Sequence, residues 1–293
     1  MVAVAGSMRR EGVDTGHCDN AIACLVYMGR RKMEEREYQR LKKEVDLFMS
    51  GCIERFYRDV PSARYQMESD EVDERFYEYH TIQTILRIRL KRMIDALVIN
   101  RLIKDHKMKA AKRWAEYTED EMLHGRMFGK DLENMTGITM EEIYSREPLF
   151  STKLLNGYFY YTLEHEGPMA ALASAYFLET FSRNTQPEWL DNLEKLFGKD
   201  KLKGARAHVN HDIDVDHIDF VWNVLKETVE DRRDADRLMA HLQNLYGLFS
   251  AYFVELHQKT GVSKGGWTAV PVVAVHHSLA AGEGGGFGAV TGN

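Results

Sequence analysis

The scarcity of proline is the feature that most constrains how this chain folds. Only five prolines occur in 293 residues, and proline is the residue that the interior of an α-helix tolerates least. Four of them lie where helices are expected to begin or end: Pro61, Pro148, Pro168 and Pro187. Between them, apolar residues recur at helical spacing, and no segment has the sustained alternation that is typical of a strand. The sequence therefore predicts an all-α protein.

The predicted helices follow one another from residue 33 onward. They cover residues 33–59, 69–104, 108–135, 139–145, 151–166, 168–184, 187–197, 200–228 and 232–260. A capping box formed by Thr139 and Glu142 marks the start of the shortest of them. No repeat of fixed length is visible, so we predict a single domain built as a helical bundle.

The two ends of the chain differ from its middle. Residues 1–32 contain a short apolar run that polar residues interrupt, and no cleavage site follows it, which argues against a secretory signal. We predict that this segment is a poorly ordered N-terminal extension. Residues 263–293 are rich in glycine and are predicted to form a flexible tail. The helical domain is therefore expected to span residues 33–262.

Composition and charge narrow the classes of function. The net charge of −6 argues against a general nucleic-acid or membrane binder, and no apolar run approaches the ~20 residues that span a bilayer. Cys18, Cys24 and Cys52 form no metal-ligand spacing and fit a reducing compartment. We expect a cytoplasmic protein that acts on a small-molecule substrate, with no nucleic-acid or membrane partner.

The informative polar residues lie on helix faces that are otherwise apolar. Glu121 and His124 fall on the stripe that carries Trp114, Tyr117 and Phe128. A carboxylate and an imidazole three residues apart lie one helical turn from each other, close enough to share one cation. Because burial of an unpaired carboxylate is unfavourable, this pair predicts a buried partner.

Two further predicted helices repeat the pattern. Glu179 ends a run that is apolar on every side, so its carboxylate is expected to point into the protein. In the helix predicted at 200–228, Asp214 and His217 lie on the inner stripe, with His211 at its edge. A carboxylate-x-x-His pair is thus expected to face the interior a second time.

The remaining charged residues near these stripes are assigned to the outside. His208 is expected to point away from the interior, and Glu164 and Glu166 to end a helix, with a contribution to metal binding left open. The aspartates expected on a solvated face are Asp212, Asp216 and Asp219. A basic run is also expected to be solvated, with the binding of a substrate carboxylate as its alternative: Arg87, Arg89, Lys91 and Arg92.

The combination of these features predicts a metal centre more strongly than any one of them. An isolated Glu-x-x-His spacing is common on solvated helices, and a single buried Glu is more often paired with Arg or Lys. In helix bundles, however, carboxylate-rich diiron sites use Glu-x-x-His pairs that project inward from facing helices. A ligand set of imidazoles and carboxylates without thiolates suits iron or manganese.

At these residues the chain resembles the heme-oxygenase-like diiron oxidases and oxygenases, which include the iron-containing redox enzymes. The resemblance covers roughly residues 60–260 and rests on these pieces: Glu121-Met-Leu-His124, Glu179 in Ala-Tyr-Phe-Leu-Glu-Thr, Asp214-Val-Asp-His217, and the segments 147–153 and 163–168. The third ligand helix of that family usually reads His-x-x-x-Asp-x-x-His. Asn210 occupies the first of those positions, so His211 beside it is the provisional sixth ligand.

The resemblance implies a heme-oxygenase-like helical bundle that binds Fe(II), two ions per chain, with O2 as co-substrate. The implied metal ligands are Glu121, His124, Glu179, His211, Asp214 and His217. The implied activity is the oxidation of a small amine-, amino-acid- or carboxylate-bearing metabolite in specialised metabolism. N-oxygenation, desaturation and oxidative C–C cleavage are the expected reaction types, and an external reductant and a homodimer are left open as partners.

Other interpretations of the same residues stay open. A ferritin-like diiron protein would need a second Glu-x-x-His pair, whereas this chain has an Asp214-x-x-His217 pair. A metal-free thiaminase-like enzyme of the same fold would need Glu121 and His124 to satisfy each other. A non-enzymatic helical interaction protein would leave the inward carboxylates unexplained. A heme-degrading oxygenase is disfavoured because the helical part of the chain lacks a glycine-rich distal segment.

Overall fold

A computed structural model describes the following residues: 32–60, 63 and 73–261, with the backbone alone at 213–215. Apart from Lys32, the predicted N-terminal extension lies outside the described residues, as does the predicted tail. The described part of the chain consists of helices and short connections, without a strand. Its α-helices are α1 (Glu35–Asp59), α2 (Glu74–Lys104), α3 (Met108–Glu121), α4 (His124–Thr136), α5 (Met140–Ser145), α6 (Phe150–His165), α7 (Met169–Phe197), α8 (Lys203–Val215), α9 (His217–Thr228) and α10 (Arg232–Thr260).

The helix α7 lies at the centre of the bundle, and its amino-terminal half is buried on every side, as its apolar run predicts. It contacts α1, α2, α6, α8, α9 and α10. The two helices predicted on either side of Pro187 are in fact one, because α7 continues through this proline. Phe181 and Trp189 are buried before and after it, so packing on both sides outweighs the hydrogen bond that proline cannot donate.

The helix predicted at 108–135 is interrupted between Glu121 and His124. Met122 and Leu123 form a tight turn in which the amide of Met122 donates to the carbonyl oxygen of Glu119. Both turn residues are about half exposed. The Glu-x-x-His pair therefore lies at two adjoining helix ends, Glu121 closing α3 and His124 opening α4.

The helix predicted at 200–228 is also interrupted. Asp216 adopts the left-handed conformation, with φ 52° and ψ 58°, which Asp tolerates better than most residues because its short side chain bonds locally. Its carboxylate accepts a hydrogen bond from Arg183 at 3.0 Å. The turn ends α8 and starts α9 at His217 in a new direction, so one helical period does not run through both.

A buried carboxylate fixes the start of α8 against α4. Asp131 of α4 accepts hydrogen bonds from the backbone amides of Gly204 and Ala205 at 2.9 and 2.7 Å. It thereby satisfies two of the amides that a helix leaves unpaired at its amino terminus. A Cβ at Gly204 would overlap the carbonyl oxygen of Met127. This close approach sets the position of every side chain on α8.

The bundle has no described helix that combines the length and the apolar character of a membrane span. The largest group of buried apolar side chains links α1, α7 and α10 through stacked and edge-on aromatic rings. Phe56, Phe181 and Phe253 lie near its middle, with ring centroids 4.9 Å apart in two of the pairs. The same cluster includes Trp114 and Tyr117 of α3 and Val221 of α9, so apolar packing continues up to the polar clusters described next.

Candidate metal centre

Potential metal ligands from five helices converge beside α7. They form two adjacent, mostly buried groups and a third, more exposed one, made of Asp120, His211 and His217, that shares His217 with one of the others. The atoms within each group lie within 4.8 Å of one another. The first group, called group A, consists of His124, His208 and Asp212. The second, called group B, consists of Glu121, Glu179 and His217. His124, Glu121 and His217 lie at the helix ends where the two predicted helices are interrupted. These interruptions bring the three side chains together.

Glu121 joins the two groups. Its Oε2 lies 3.0 Å from Nδ1 of His124 in group A, and its Oε1 lies 3.7 Å from Nδ1 of His217 in group B. Burial opposes ionisation of this carboxyl, but the hydrogen bond and charge of His124, together with Arg92, lower its pKa to about 2. An ionised carboxylate with one oxygen directed to each group has the arrangement of a bridging ligand.

Hydrogen bonds from outside support group B. Glu179 accepts a hydrogen bond from the hydroxyl of Tyr117 at 2.7 Å through Oε1, while its Oε2 lies 3.7 Å from Nδ1 of His217. On the opposite side, Nε2 of His217 lies 2.8 Å from a carboxylate oxygen of Asp120. A carboxylate bonded to one imidazole nitrogen commonly orients the other nitrogen toward a metal ion.

Several polar atoms in these groups are buried without a hydrogen-bond partner among the described residues. They are Nδ1 of His217, Oδ1 of Asp212 and Nδ1 of His208. The first two lie 3.5 Å apart, and leaving such groups unpaired costs free energy that few native structures tolerate. Carboxylate oxygens and imidazole nitrogens that face one another without a hydrogen bond fit a bound cation, which would interact with all of them.

The electrostatics of group A point to the same requirement. Burial, together with the nearby charges of Glu179 and Glu121, raises the pKa of Asp212 to about 8. Burial lowers the pKa of His208 to about 4, so this imidazole is neutral near pH 7 and free to bind a metal. A cation would remove the repulsion among the three carboxylates and displace the proton from Asp212.

The structure brings together four of the residues that the sequence suggested: Glu121, His124, Glu179 and His217. His211 belongs to the third group, with Asp120 and His217: its Nε2 lies 2.9 Å from Asp120, its ring centroid lies 5.6 Å from that of His217, and 42% of its side chain is exposed. The side chain of Asp214 lies outside the described residues. Glu164 and Glu166 are exposed and belong to neither group.

Two expectations about α8 are wrong. His208 does not point away, and Asp212 is not solvated: their side chains are 12% and 15% exposed, and both belong to group A. The error arises because the turn at Asp216 changes the direction of the chain, so the inner stripe extrapolated from α9 does not apply to α8. The His208-x-x-x-Asp212 spacing, one helical turn, was the signal available in the sequence. The role of Asp120 had no signal beyond its place beside Glu121.

A cavity of about 100 Å³ adjoins the two groups. It lies between α2, α6 and α7, and its polar end is formed by Glu121, Glu179, His208 and Asp212. Three members of the basic run on α2 line this cavity, namely Arg87, Lys91 and Arg92. The expectation of a solvated face therefore holds for Arg89, which is exposed, and is wrong for the other three.

Comparison with known proteins supports the architecture. No protein-family model matches the sequence, and no curated protein does. A domain of unknown function with a heme oxygenase-like fold from Shewanella denitrificans OS217 is 18% identical, with a TM-score of 0.66 over 75% of this chain and 93% of that one. The chain thus has a heme oxygenase-like, all-α fold, as the sequence predicts.

Two further solved structures share this fold at lower similarity. A CADD-like protein of unknown function from Nostoc punctiforme PCC 73102 is 14% identical, with a TM-score of 0.58 over 77% of this chain and 99% of that one. A TenA homologue from Pseudomonas syringae pv. tomato DC3000 is 13% identical, with a TM-score of 0.57 over 75% and 92%. Identities this low relate the folds of these proteins and leave their activities separate.

Proposed function

We propose that this protein is a nonheme diiron oxidase or oxygenase that uses O2 to oxidise a small metabolite. The observation that carries the proposal is the position of Glu121, which directs one carboxylate oxygen to each of two adjacent ligand groups. The proposed ligands are Glu121, His124, Glu179, His208, Asp212 and His217. Compared with the set that the sequence suggested, His208 and Asp212 take the places of His211 and Asp214.

Each ligand has a defined part in this proposal. His124, His208 and Asp212 would hold one iron ion, Glu179 and His217 would hold the other, and Glu121 would contact both. The donors are imidazoles and carboxylates, a set that suits iron or manganese better than metals that prefer thiolates. Two ferrous ions bound there would supply the electrons with which O2 is reduced.

The surrounding side chains have supporting parts. Tyr117 fixes one oxygen of Glu179, and Asp120 fixes Nε2 of His217, so both ligands are oriented before a metal binds. Burial and the charges of Glu121 and Glu179 raise the pKa of Tyr117 well above its usual value, which keeps the phenol protonated as a hydrogen-bond donor. Phe128 and Phe159 line the cavity beside the ligands and limit the access of water to them.

Anaerobic titration with Fe(II), followed by mixing with O2, tests the proposal. We expect about two iron ions per chain, because two ligand groups are present, and a transient visible absorption after mixing. Asp212→Ala should remove about one iron equivalent and abolish the absorption. The matched control is Asp219→Ala, which changes an exposed aspartate of α9 seven residues after Asp212 and should leave both signals unchanged.

The opposite results would count clearly against a diiron centre. Failure to bind iron near the expected stoichiometry, without a transient absorption, would favour a metal-free enzyme of the same fold. Equal iron binding by Asp212→Ala and Asp219→Ala would show that Asp212 is not a ligand. Loss of iron in a His211→Ala variant to the same extent as in Asp212→Ala would restore the ligand set that the sequence suggested.

A further inference from the structure

Arg87 differs from the other cations of the cavity in having no anionic partner. Lys91 forms an ion pair with Asp95, and Arg92 lies 3.4 Å from Asp95 and 3.8 Å from Glu121. Arg87 has neither a hydrogen bond nor an ion pair with any described residue, and its guanidinium lies 6.0 Å from the ring of Tyr252. Burial lowers its pKa, yet a guanidinium stays charged in proteins.

An uncompensated guanidinium inside a protein is unfavourable unless a ligand supplies the missing charge. The cavity walls around Arg87 are mostly apolar. Leu155 and Leu178 line both this cavity and a smaller pocket, and Arg87 lines that pocket as well. Arg87 is half-buried, and no described carboxylate pairs with its positive charge at this place. A charge that does not stabilise the fold indicates a role in binding.

A second unpaired polar group lines the same two pockets as Arg87. Thr152 of α6 is buried, its Oγ1 has no hydrogen-bond partner among the residues that the structure describes, and it lines both of the pockets that Arg87 lines. A hydroxyl donor and a planar guanidinium together match the acceptors of a carboxylate, which an Arg side chain binds through two parallel hydrogen bonds.

The spacing along α2 relates this pair to the ligand groups. Arg87 precedes Arg92 by five residues, a rise of about 7.5 Å along a helix, and Nη1 of Arg92 lies 3.8 Å from the Glu121 carboxylate. The wall between the two ends carries Ile88, Leu155 and Leu178. A ligand anchored at Arg87 would thus extend an apolar body of a few carbon atoms toward Glu121 and Glu179.

We propose that Arg87 and Thr152 form a carboxylate-binding subsite, and that the substrate is a small carboxylate whose apolar body reaches the metal-ligand groups. This inference deepens the proposed function, since the oxidised end of such a substrate would lie at the iron site. The subsite itself, however, consists of residues that are not proposed metal ligands. Its binding of a carboxylate is measurable in protein with or without iron.

Isothermal titration calorimetry with matched probes tests the subsite. Hexanoate, hexanamide and hexylamine share one apolar body and differ in charge, and inorganic phosphate is an anion without that body. We expect hexanoate to bind at least about tenfold more tightly than each of the other three, a difference of about 1.4 kcal/mol or more. Equal binding of hexanoate and hexanamide would overturn the proposal, as would tighter binding of phosphate or hexylamine.

Substitution of Arg87 locates the site. Arg87→Met removes the charge and keeps a similar length, so we expect hexanoate affinity to fall about tenfold or more, as after the loss of a charged hydrogen-bond partner. Thr152→Val should lower hexanoate affinity by a smaller factor. The control is Arg89→Met on the same helix, where the side chain is exposed and lies over the ring of Tyr144. Unchanged affinity in Arg87→Met would contradict the assignment.

Two further measurements separate this inference from the proposed function. Iron content should be unchanged in Arg87→Met, because the variant leaves both ligand groups intact. Its melting temperature should be equal to or above that of the original protein, since a half-buried charge without an ion-pair partner among the described residues is removed. Iron binding without preference for hexanoate would refute the subsite alone, and hexanoate binding through Arg87 in a protein that binds no iron would refute the diiron proposal alone.

Discussion

The two ligand groups differ in how firmly the protein holds them. In group B, Tyr117 fixes Glu179 and Asp120 fixes His217 through hydrogen bonds of 2.7 and 2.8 Å. In group A, Nδ1 of His208 lies 3.1 Å from the Asp212 carboxylate, but no hydrogen bond from another described residue orients either of these two ligands. A ligand set that is oriented in advance loses less entropy when a metal binds. We therefore expect group B to bind the first iron ion and group A the second, with lower affinity.

Removal of the shared ligand should have the largest effect. Because Glu121 faces both groups, Glu121→Ala is expected to lower bound iron from about two ions per chain to well below one, as first- and second-site affinities fall together. Inductively coupled plasma analysis of desalted protein measures this change. Glu119→Ala, an exposed carboxylate two residues earlier, is the control. Retention of one tightly bound ion in Glu121→Ala would show that the groups are independent.

The support of group B can be removed without touching a proposed ligand. Asp120→Asn weakens the hold on Nε2 of His217, so we expect the affinity of the tighter site to fall by about 10–100-fold while the weaker site changes little. His211→Ala, which removes the other partner of Asp120, should have a much smaller effect. Stepwise anaerobic Fe(II) titration measures both constants. A larger loss at the weaker site would reverse the comparison.

The position of α8 can be disturbed to affect group A alone. Gly204→Ala would force a Cβ against the backbone of Met127, and such overpacking typically costs about 1–3 kcal/mol. We expect a lower melting temperature and loss of the weaker iron site, because His208 and Asp212 move with the helix. Gly157→Ala is the matched control, since a Cβ there meets no atom within 4 Å and should stabilise the helix by about 0.5–1 kcal/mol. Retention of both iron ions by Gly204→Ala would argue against this.

The smallest effect concerns pH. The pKa of Asp212 is raised from 3.8 to about 8 in the folded metal-free protein. The resulting contribution to the free energy of unfolding is therefore fully present when the pH is below 3.8. That contribution is lost as pH rises through about 8. Between pH 6 and 9 we expect the melting temperature of chelator-treated protein to fall less steeply in Asp212→Asn. Identical slopes of melting temperature against pH in the two proteins would contradict the burial of this carboxyl. A residual slope is expected from His217, because Glu179 and Asp212 raise its pKa to about 9 against the opposing effect of burial.

The sequence predicted the helical architecture because apolar periodicity and proline placement act locally. It also identified Glu121, His124, Glu179 and His217 as inward-facing, since each lies close to buried apolar neighbours on its own helix. Periodicity failed where the chain leaves the helix without a glycine or proline, as at Asp216. The left-handed turn there has no strong signature in the sequence, and it reverses the expected orientation of His208 and Asp212.

The basic run on α2 shows a different limit. Helical spacing places Arg87 and Lys91 on one face of α2, Arg89 on the opposite face and Arg92 between the two, but it does not say which face is buried. That choice depends on helices distant in sequence: α6 and α7 cover one face of α2 and form the cavity. The long stems of Lys and Arg side chains can be buried while their charge is paired, so composition alone favours a solvated face even where the protein encloses it.

The turn at Asp216 has a consequence for how this protein can change. Each residue adds about 100° of rotation to a helix, and the turn interrupts that rotation between α8 and α9. An insertion or deletion within α8 would therefore swing His208 and Asp212 around the helix axis while His217, beyond the joint, kept its direction. A single-residue length change in α8 would therefore reorient the two group A ligands that α8 carries, while Glu121 and Glu179, which lie on other helices, would keep their positions.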